Sequence, residues 1–277
     1  MDSQTLLTTP LQKHNILAND VLYNKVIHKG HQLVINPYHP KKLETLKPND
    51  AHIKEYETAL DLLAQLTAGM KDYVLTGGLA IPATTGKWYR VHRALHLGLE
   101  VTQLPEFLDH VSHNNFYLFS RLRMRRQLIP KNQKRDIYEP VTLKEISQLV
   151  KKQRLEKRCG GLVDKTENLR LIQITHTTGK VQPHQHLFDY VDLYLHWQDE
   201  EGYLCSNDDR KRIVPDYFKG VNYNTKSGIE MPVVSLEYLR QIKSERFARK
   251  KRETDSLDLK EISKYQKVQW QKIRRKD

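Results

Sequence analysis

Apolar side chains recur at helical spacing in some segments of the chain and alternate with polar ones in others, which predicts both helices and strands. Helical spacing predicts helices over 50–70, with Asp50 as the cap, over 105–111, over 143–157, and from an N-cap at Ser235 onward. Alternation predicts strands over 31–35, 92–101, 116–124, 169–175 and 188–197, with shorter ones over 213–218 and 231–234. Within 72–81 an apolar strand runs into a double-glycine turn and a new helix.

The order of these elements predicts an α+β fold, with a mixed β-sheet in the N-terminal two-thirds and helices after it. The pattern divides the chain into an irregular N-terminal arm over 1–50, an α+β core over 51–234 and a basic helical region over 235–277. With 277 residues, the chain is long enough to bury a substantial core.

Two of the predicted strands carry polar side chains opposite an apolar face. In the strand over 92–101, Ala94 and His96 lie on the face opposite Leu95 and Leu97. In the strand over 188–197, Asp192 lies opposite its apolar neighbours. These two polar faces are the first candidates for a functional site.

The net charge of +13 is concentrated in two blocks. Residues 240–277 contain 14 Lys and Arg against 6 Asp and Glu, and residues 121–136 contain 7 against 1. In the second block, Arg121, Arg123 and Arg125 alternate with apolar residues, so the three guanidinium groups share one side. The blocks indicate a surface for a polyanion, of which RNA is the commonest, or else solvated helix faces.

The two cysteines, Cys159 and Cys205, form neither a CxxC pair nor a disulfide framework, so a cytoplasmic protein is expected. No segment has the roughly 20 apolar residues of a membrane span, and the N-terminal sequence lacks the features of a secretory signal. A bacterial effector exported through a C-terminal signal is the alternative.

Four segments in order resemble the nucleotidyltransferase superfamily related to DNA polymerase beta, in particular its bacterial antibiotic-modifying and toxin-type branch. They are the apolar–Gly–Gly entry to a helix at 74–81, the strand after Tyr89, the strand around Asp192, and the helix ending in Lys243 followed by Asp255 and Asp258. Together they span roughly residues 55–262. The resemblance implies transfer of a nucleoside monophosphate from a triphosphate bound to Mg²⁺ or Mn²⁺ onto an acceptor hydroxyl.

The resemblance also implies a role for each matching residue. Thr76, Gly77 and Gly78 would hold the phosphates, since glycine allows close backbone approach, and Lys243 would contact the triphosphate. Position 94, His96 and Asp192 would form the catalytic, metal-binding set. Each has a simpler alternative: a tight turn for the glycines, a hydrogen-bonded histidine, and a lysine placed by the helix dipole.

The sequence departs from the family where the metal is expected. The family has Asp-x-Asp, and this chain has Ala94 and His96. Alanine cannot bind a metal, and histidine suits zinc, iron or nickel better than magnesium. Either the protein is a degenerate member that binds without transfer, or Ala94 is an engineered inactivation. Glu100, on the same face, is a weaker replacement carboxylate, and Trp88 and Tyr89 either stack on a base or cover the loop.

Three hypotheses follow. The first is a nucleotidyltransferase, impaired by Ala94, whose acceptor is RNA, such as the end of a tRNA, in a toxin or effector role. The second is a catalytically degenerate module that binds RNA, nucleotide or a protein partner. The third is an effector that modifies a protein.

Overall fold

The computed structural model describes residues 33–34, 44–92, 94–121, 137–141, 144, 169–177, 180–183, 190–199, 201–206 and 212–274. These residues form two compact units. The first contains the described residues of 1–38, 66–73 and 98–212, and the second contains those of 39–65, 74–97 and 213–277.

The described strands, in chain order, are β1 (Leu33–Val34), β2 (Tyr73–Thr76), β3 (Leu95–Glu100), β4 (Phe116–Arg121), β5 (Ile137–Pro140), β6 (Leu169–Thr177), β7 (Lys180–Pro183), β8 (Tyr190–Gln198), β9 (Leu204–Ser206), β10 (Arg212–Ile213), β11 (Lys219–Asn224) and β12 (Glu230–Val234). The helices are α1 (Asp50–Leu66), α2 (Ala80–Thr85), α3 (Leu104–Ser112), α4 (Pro215–Phe218), α5 (Leu236–Lys250) and α6 (Glu253–Ile273), with a 3-10 turn at Val101–Gln103.

The first unit is built on antiparallel strands in the order β1-β5-β4-β6-β8, with β7 beside β6 and β9 beside β8. In β6 and β8 alternate side chains such as Leu171 and Leu193 are buried, because successive side chains of a strand point to opposite faces. The register places Arg170 of β6 directly opposite Asp192 of β8. That pairing determines the surroundings of the Asp192 carboxylate.

The second unit has the strand order β3-β2-β12-β11. Strand β2 is parallel to β12, with Leu75 opposite Val233, and β11 is antiparallel to β12. Tyr56, Leu60 and Leu63 form the buried stripe of α1, as the helical spacing predicts. The combination of parallel and antiparallel pairs with helices confirms the predicted α+β class and its mixed sheet.

Several predicted boundaries differ from the structure. Helix α1 ends at Leu66 rather than at 70, and its cap is Asn49, whose Oδ1 accepts from the His52 amide at 2.9 Å, and not Asp50. Ser235 is confirmed as the N-cap of α5, since its hydroxyl accepts from the amide of Tyr238 at 3.2 Å.

The prediction of a strand over 213–218 is wrong for most of that segment. Only Ile213 belongs to a strand, β10, and the chain then forms the short helix α4, which starts at Pro215. Proline has its φ fixed near the helical value and no N–H to give a sheet, so it favours the first helical position over a strand.

Strand β11 has no counterpart among the predicted strands, because its exposed residues show no apolar alternation. The segment 122–124 and the helix over 143–157, apart from Lys144, lie outside the described residues.

Among the described residues, no helix is both long enough and apolar enough to cross a lipid bilayer.

Candidate functional site

The double-glycine turn joins the buried strand β2 to helix α2. Gly77 adopts a left-handed backbone with φ of 73°, which glycine accepts without the steric cost of a side chain. A β-carbon on Gly77 would overlap the ring of His96, at 2.6 Å from its Cγ. A β-carbon on Gly78 would lie 2.6 Å from an Nη of Arg90 and 2.8 Å from Nδ1 of His92. The turn is therefore packed against two imidazole rings and a guanidinium group, with no space for a larger residue.

His96 of β3 lies directly over Gly77, so the structure brings together two of the residues that the resemblance assigns to the site. Ala94 immediately precedes β3, and Thr76 is the last residue of β2. All four positions are half-buried. The double-glycine turn and His96 therefore lie together in the second unit, whereas Asp192, the third member of the predicted set, belongs to the first unit.

A buried carboxylate, Asp258 of α6, is the centre of an ionic cluster in the same unit. Its Oδ1 accepts from Nε of Arg90 at 2.6 Å and from the Tyr89 hydroxyl at 2.7 Å. Its Oδ2 lies 2.5 Å from Nζ of Lys243 and 3.2 Å from an Nη of Arg90. Nζ of Lys243 also lies 3.3 Å from Oδ1 of Asp255. Two cations and two carboxylates are thus buried together, and their charges balance.

The charges of this cluster reinforce one another. Burial by itself would raise the pKa of Asp258, but Lys243 and Arg90 outweigh it and hold the pKa well below its ordinary value. Burial would likewise lower the pKa of Arg90, and Asp258 instead raises it. Asp258 and Arg90 therefore both stay ionised at neutral pH.

Tyr89 and His92 complete the surroundings of the cluster. Burial and the adjacent Asp258 raise the pKa of Tyr89, so its hydroxyl remains a donor. Burial and then Arg90 lower the pKa of His92 well below its ordinary value, so its ring is neutral. The His92 ring lies edge-on to Tyr56 and to Tyr89, with centroids 5.9 Å apart in each pair. Its buried Nε2 has no hydrogen-bond partner among the described residues.

The structure gives internal roles to residues with predicted ligand contacts. Lys243, assigned to the triphosphate, is buried and held between Asp255 and Asp258. Tyr89 donates a hydrogen bond to Asp258, and Trp88 packs on Tyr56 with ring centroids 5.2 Å apart. Both rings are half-buried, and their stacking on a base stays a prediction.

The remaining predicted residues belong to the first unit. The Asp192 carboxylate accepts from Nε of Arg170 at 2.6 Å and is only partly exposed. Glu100 accepts from the amide of Thr102 at 2.7 Å and so caps the 3-10 turn. Arg121 is the last residue of β4, whereas Arg123 and Arg125 lie outside the described residues.

The donor set does not suit Mg²⁺ or Mn²⁺. Both ions prefer several oxygen ligands, yet in the second unit position 94 has no donor atom and His96 offers an imidazole. In the first unit, Asp192 is paired with Arg170. In the part of the chain that the structure describes, no three His, Cys, Asp or Glu side chains are arranged to hold a metal ion.

Sequence reasoning missed the partnership of Arg90 with Asp258 and the burial of His92. The available signal was the position of Arg90, directly after Tyr89 at the start of the segment that resembles the family. Nothing in the sequence connects that arginine with an aspartate 168 residues later.

The fold and the turn define an α+β protein with a strand–Gly–Gly–helix element.

No protein-family model and no curated protein sequence matches the chain. Two solved structures are similar to it. The crystal structure of the lincosamide antibiotic adenylyltransferase LnuA with bound lincomycin has 15% identity and a TM-score of 0.41, covering 76% of this chain and 95% of that chain. An antigenic nucleotidyltransferase-like protein from Paracoccidioides brasiliensis has 14% identity and a TM-score of 0.32, covering 76% of this chain and 75% of that chain.

Proposed function

We propose that this chain is a catalytically degenerate module with a nucleotidyltransferase fold, which binds a polyanionic partner and transfers no nucleotide. The observation that carries the proposal is the Lys243 ammonium, buried between Asp255 and Asp258. A lysine neutralised in this way has little charge left to offer a triphosphate, and withdrawing it would leave two buried carboxylates without their cation.

The chemistry of the neighbouring positions supports the same proposal. The ring of His96 lies against Gly77 on the side where a β-carbon would project, so that side of the turn is filled. Ala94 supplies no ligand, and Asp192 is neutralised by Arg170. The net charge of +13 gives the module an attraction for polyanions that does not depend on this turn.

Transfer of nucleoside monophosphate to RNA is the second candidate function. It is favoured by the observation that the glycine turn, the start of β3, Lys243 and Asp258 all belong to one unit, in the order of the family motifs. In this case Ala94 is the inactivating change, and an aspartate there restores activity.

One experiment separates the two functions. The chain and its Ala94→Asp variant are incubated with labelled nucleoside triphosphates, total RNA and cell lysate, with and without Mg²⁺. We expect no label on RNA, protein or small molecules with either form, because one added carboxylate does not complete the donor set.

Ala94→Asn is the matched control, since it has nearly the size of aspartate without its charge. Label transferred by the Ala94→Asp variant and not by Ala94→Asn would overturn the proposal and establish the transferase. Labelled protein bands in that case would identify a protein acceptor, and labelled RNA an RNA acceptor.

A further inference from the structure

The second half of α6 lies on the surface of the second unit. From Ser263 to Arg274 no side chain is buried, whereas the first half of the helix buries Asp255, Asp258 and Ile262. Helices in globular proteins usually bury an apolar face, so a half-helix with large apolar side chains in solvent indicates a binding surface.

This half-helix forms one wall of an open cavity of about 620 Å³. Gln266, Gln269, Trp270 and Ile273 line it, and their spacing places them on one face of α6. The opposite walls come from the edge strand β11, the end of β12 and the start of α5. Trp270 is 63% exposed and Ile273 61% exposed, so two large apolar side chains of the cavity are in contact with solvent.

The surface around the cavity is strongly basic. On the described residues of α5, α6 and their connection, 236–274, ten Lys and Arg side chains are exposed against two Asp and Glu. Arg240 and Lys267 line the cavity itself, together with one carboxylate, Glu237. The Arg274 guanidinium lies 5.5 Å from the centre of the Trp270 ring. An exposed indole among many cations matches a ligand with flat aromatic rings and a chain of negative charges.

We propose that this cavity binds single-stranded RNA, with a base stacked on Trp270 and phosphates near Lys267 and Arg240. The proposal rests on the proposed function, because it names the ligand class and the surface of the binding module. Ser263 and Gln269, whose side chains can hydrogen-bond to 2′-hydroxyl groups, also line the cavity and favour RNA over DNA. The ten exposed cations disfavour a basic peptide and leave an acidic protein segment as the competing occupant.

The test uses fluorescence anisotropy to measure binding of a labelled oligouridylate to the full chain, without nucleoside triphosphate. The oligouridylate has about 12 nucleotides, which is within the usual site size of single-strand binders. Trp270→Ala is expected to weaken binding about tenfold, because stacking of one base is lost, and Trp270→Phe is expected to retain most of the affinity. The matched control is Val268→Ala: Val268 is 41% exposed on the same helix and does not line the cavity.

Two further measurements separate the contribution of charge to binding from the contribution of base stacking. Lys267→Gln is expected to reduce the slope of log K against log salt concentration by about 0.7, as expected for one lost phosphate contact to a single strand. Lys264→Gln, on the same helix but outside the cavity, is expected to leave the slope nearly unchanged. Inorganic polyphosphate, a polyanion without bases, is expected to bind Trp270→Ala and the unchanged chain equally.

The proposal is overturned if Trp270→Ala and Val268→Ala bind the oligouridylate equally well, or if the deoxy-oligonucleotide of the same length binds more tightly than the RNA. No RNA binding at low salt would also overturn it and would leave the cavity to an acidic protein segment. None of these results changes the outcome of the transfer assay, so failure of this proposal is distinguishable from failure of the proposed function.

Discussion

Replacing Asp258 with asparagine is expected to reduce the free energy of unfolding by about 3–5 kcal/mol. Asparagine keeps the size of the side chain and removes its charge. Arg90 and Lys243 would then be buried with Asp255 as the remaining carboxylate of the cluster, and an uncompensated buried charge costs far more than a lost hydrogen bond. Urea denaturation followed by circular dichroism measures the change.

Two companion variants identify the cause. Asp216→Asn, at an exposed position, is expected to change the free energy by less than about 0.5 kcal/mol. Asp258→Asn combined with Lys243→Met is expected to recover part of the loss, because one uncompensated cation is replaced by an apolar side chain. An Asp258→Asn loss no larger than that of Asp216→Asn would contradict the cluster as described.

The effect of Asp258 is also expected to depend on pH. Its pKa in the folded protein lies well below the unfolded value of about 3.9, so its contribution is fully present above that value. The contribution is lost as the pH falls from about 4 towards the folded pKa. The difference in unfolding free energy between the unchanged chain and Asp258→Asn should be constant between about pH 6 and pH 8 and smaller at about pH 3. A difference of the same size in acid would show that the charge of Asp258 is not what stabilises the fold.

Gly77→Ala is expected to destabilise the protein by about 3 kcal/mol, for two separable reasons. The first is the left-handed backbone with φ of 73°, which costs any residue with a side chain about 1 kcal/mol. The second is overlap of the new β-carbon with the His96 ring, at 2.6 Å from its Cγ, which forces the ring or the backbone to move. Thermal or chemical denaturation of the purified variant gives the total.

Gly86→Ala separates the two reasons. Gly86 has a φ of 70°, but no described atom lies within 4 Å of the place that a β-carbon would occupy, so only the backbone cost of about 1 kcal/mol applies. Removing the obstacle with His96→Ala should then make Gly77→Ala less costly, with a coupling of at least about 1 kcal/mol in the double-mutant cycle. Equal losses for the two glycine variants, or additive losses for Gly77→Ala and His96→Ala, would show that the turn and His96 are not in contact.

Patterns among neighbouring residues predict those helices and strands whose formation depends on neighbouring residues. The alternation around Leu95 and Leu97 predicts β3 and its buried face, and Ser235 predicts the start of α5, because capping involves residues three apart. The same kind of reasoning fails at 213–218, where apolar residues suggest a strand and Pro215 favours a helix start instead. Strand β11 gives no signal at all, because an exposed edge strand needs no apolar alternation.

The candidate site is only partly accessible from the sequence. The order of motifs predicts that the glycine turn, the strand bearing Ala94 and His96, and the strand bearing Asp192 meet, and the structure places His96 against the turn. It does not indicate that Lys243 is neutralised by two carboxylates, since a lysine at a helix end looks the same whether it faces solvent or an ion pair. The roles of these residues toward a ligand stay predictions.

The sequence by itself determined most of the helices and strands, the position of the required glycine turn, and the strongly basic charge of the protein. These features depend on neighbouring residues or on composition. Only the tertiary structure decided which charges meet. Arg90 and Asp258 are 168 residues apart in the chain, and their contact depends on the packing of α6 within the second unit. The tertiary structure also decided that the second half of α6 leaves Trp270 in solvent, because burial depends on which elements pack against a helix and not on the residues of the helix alone.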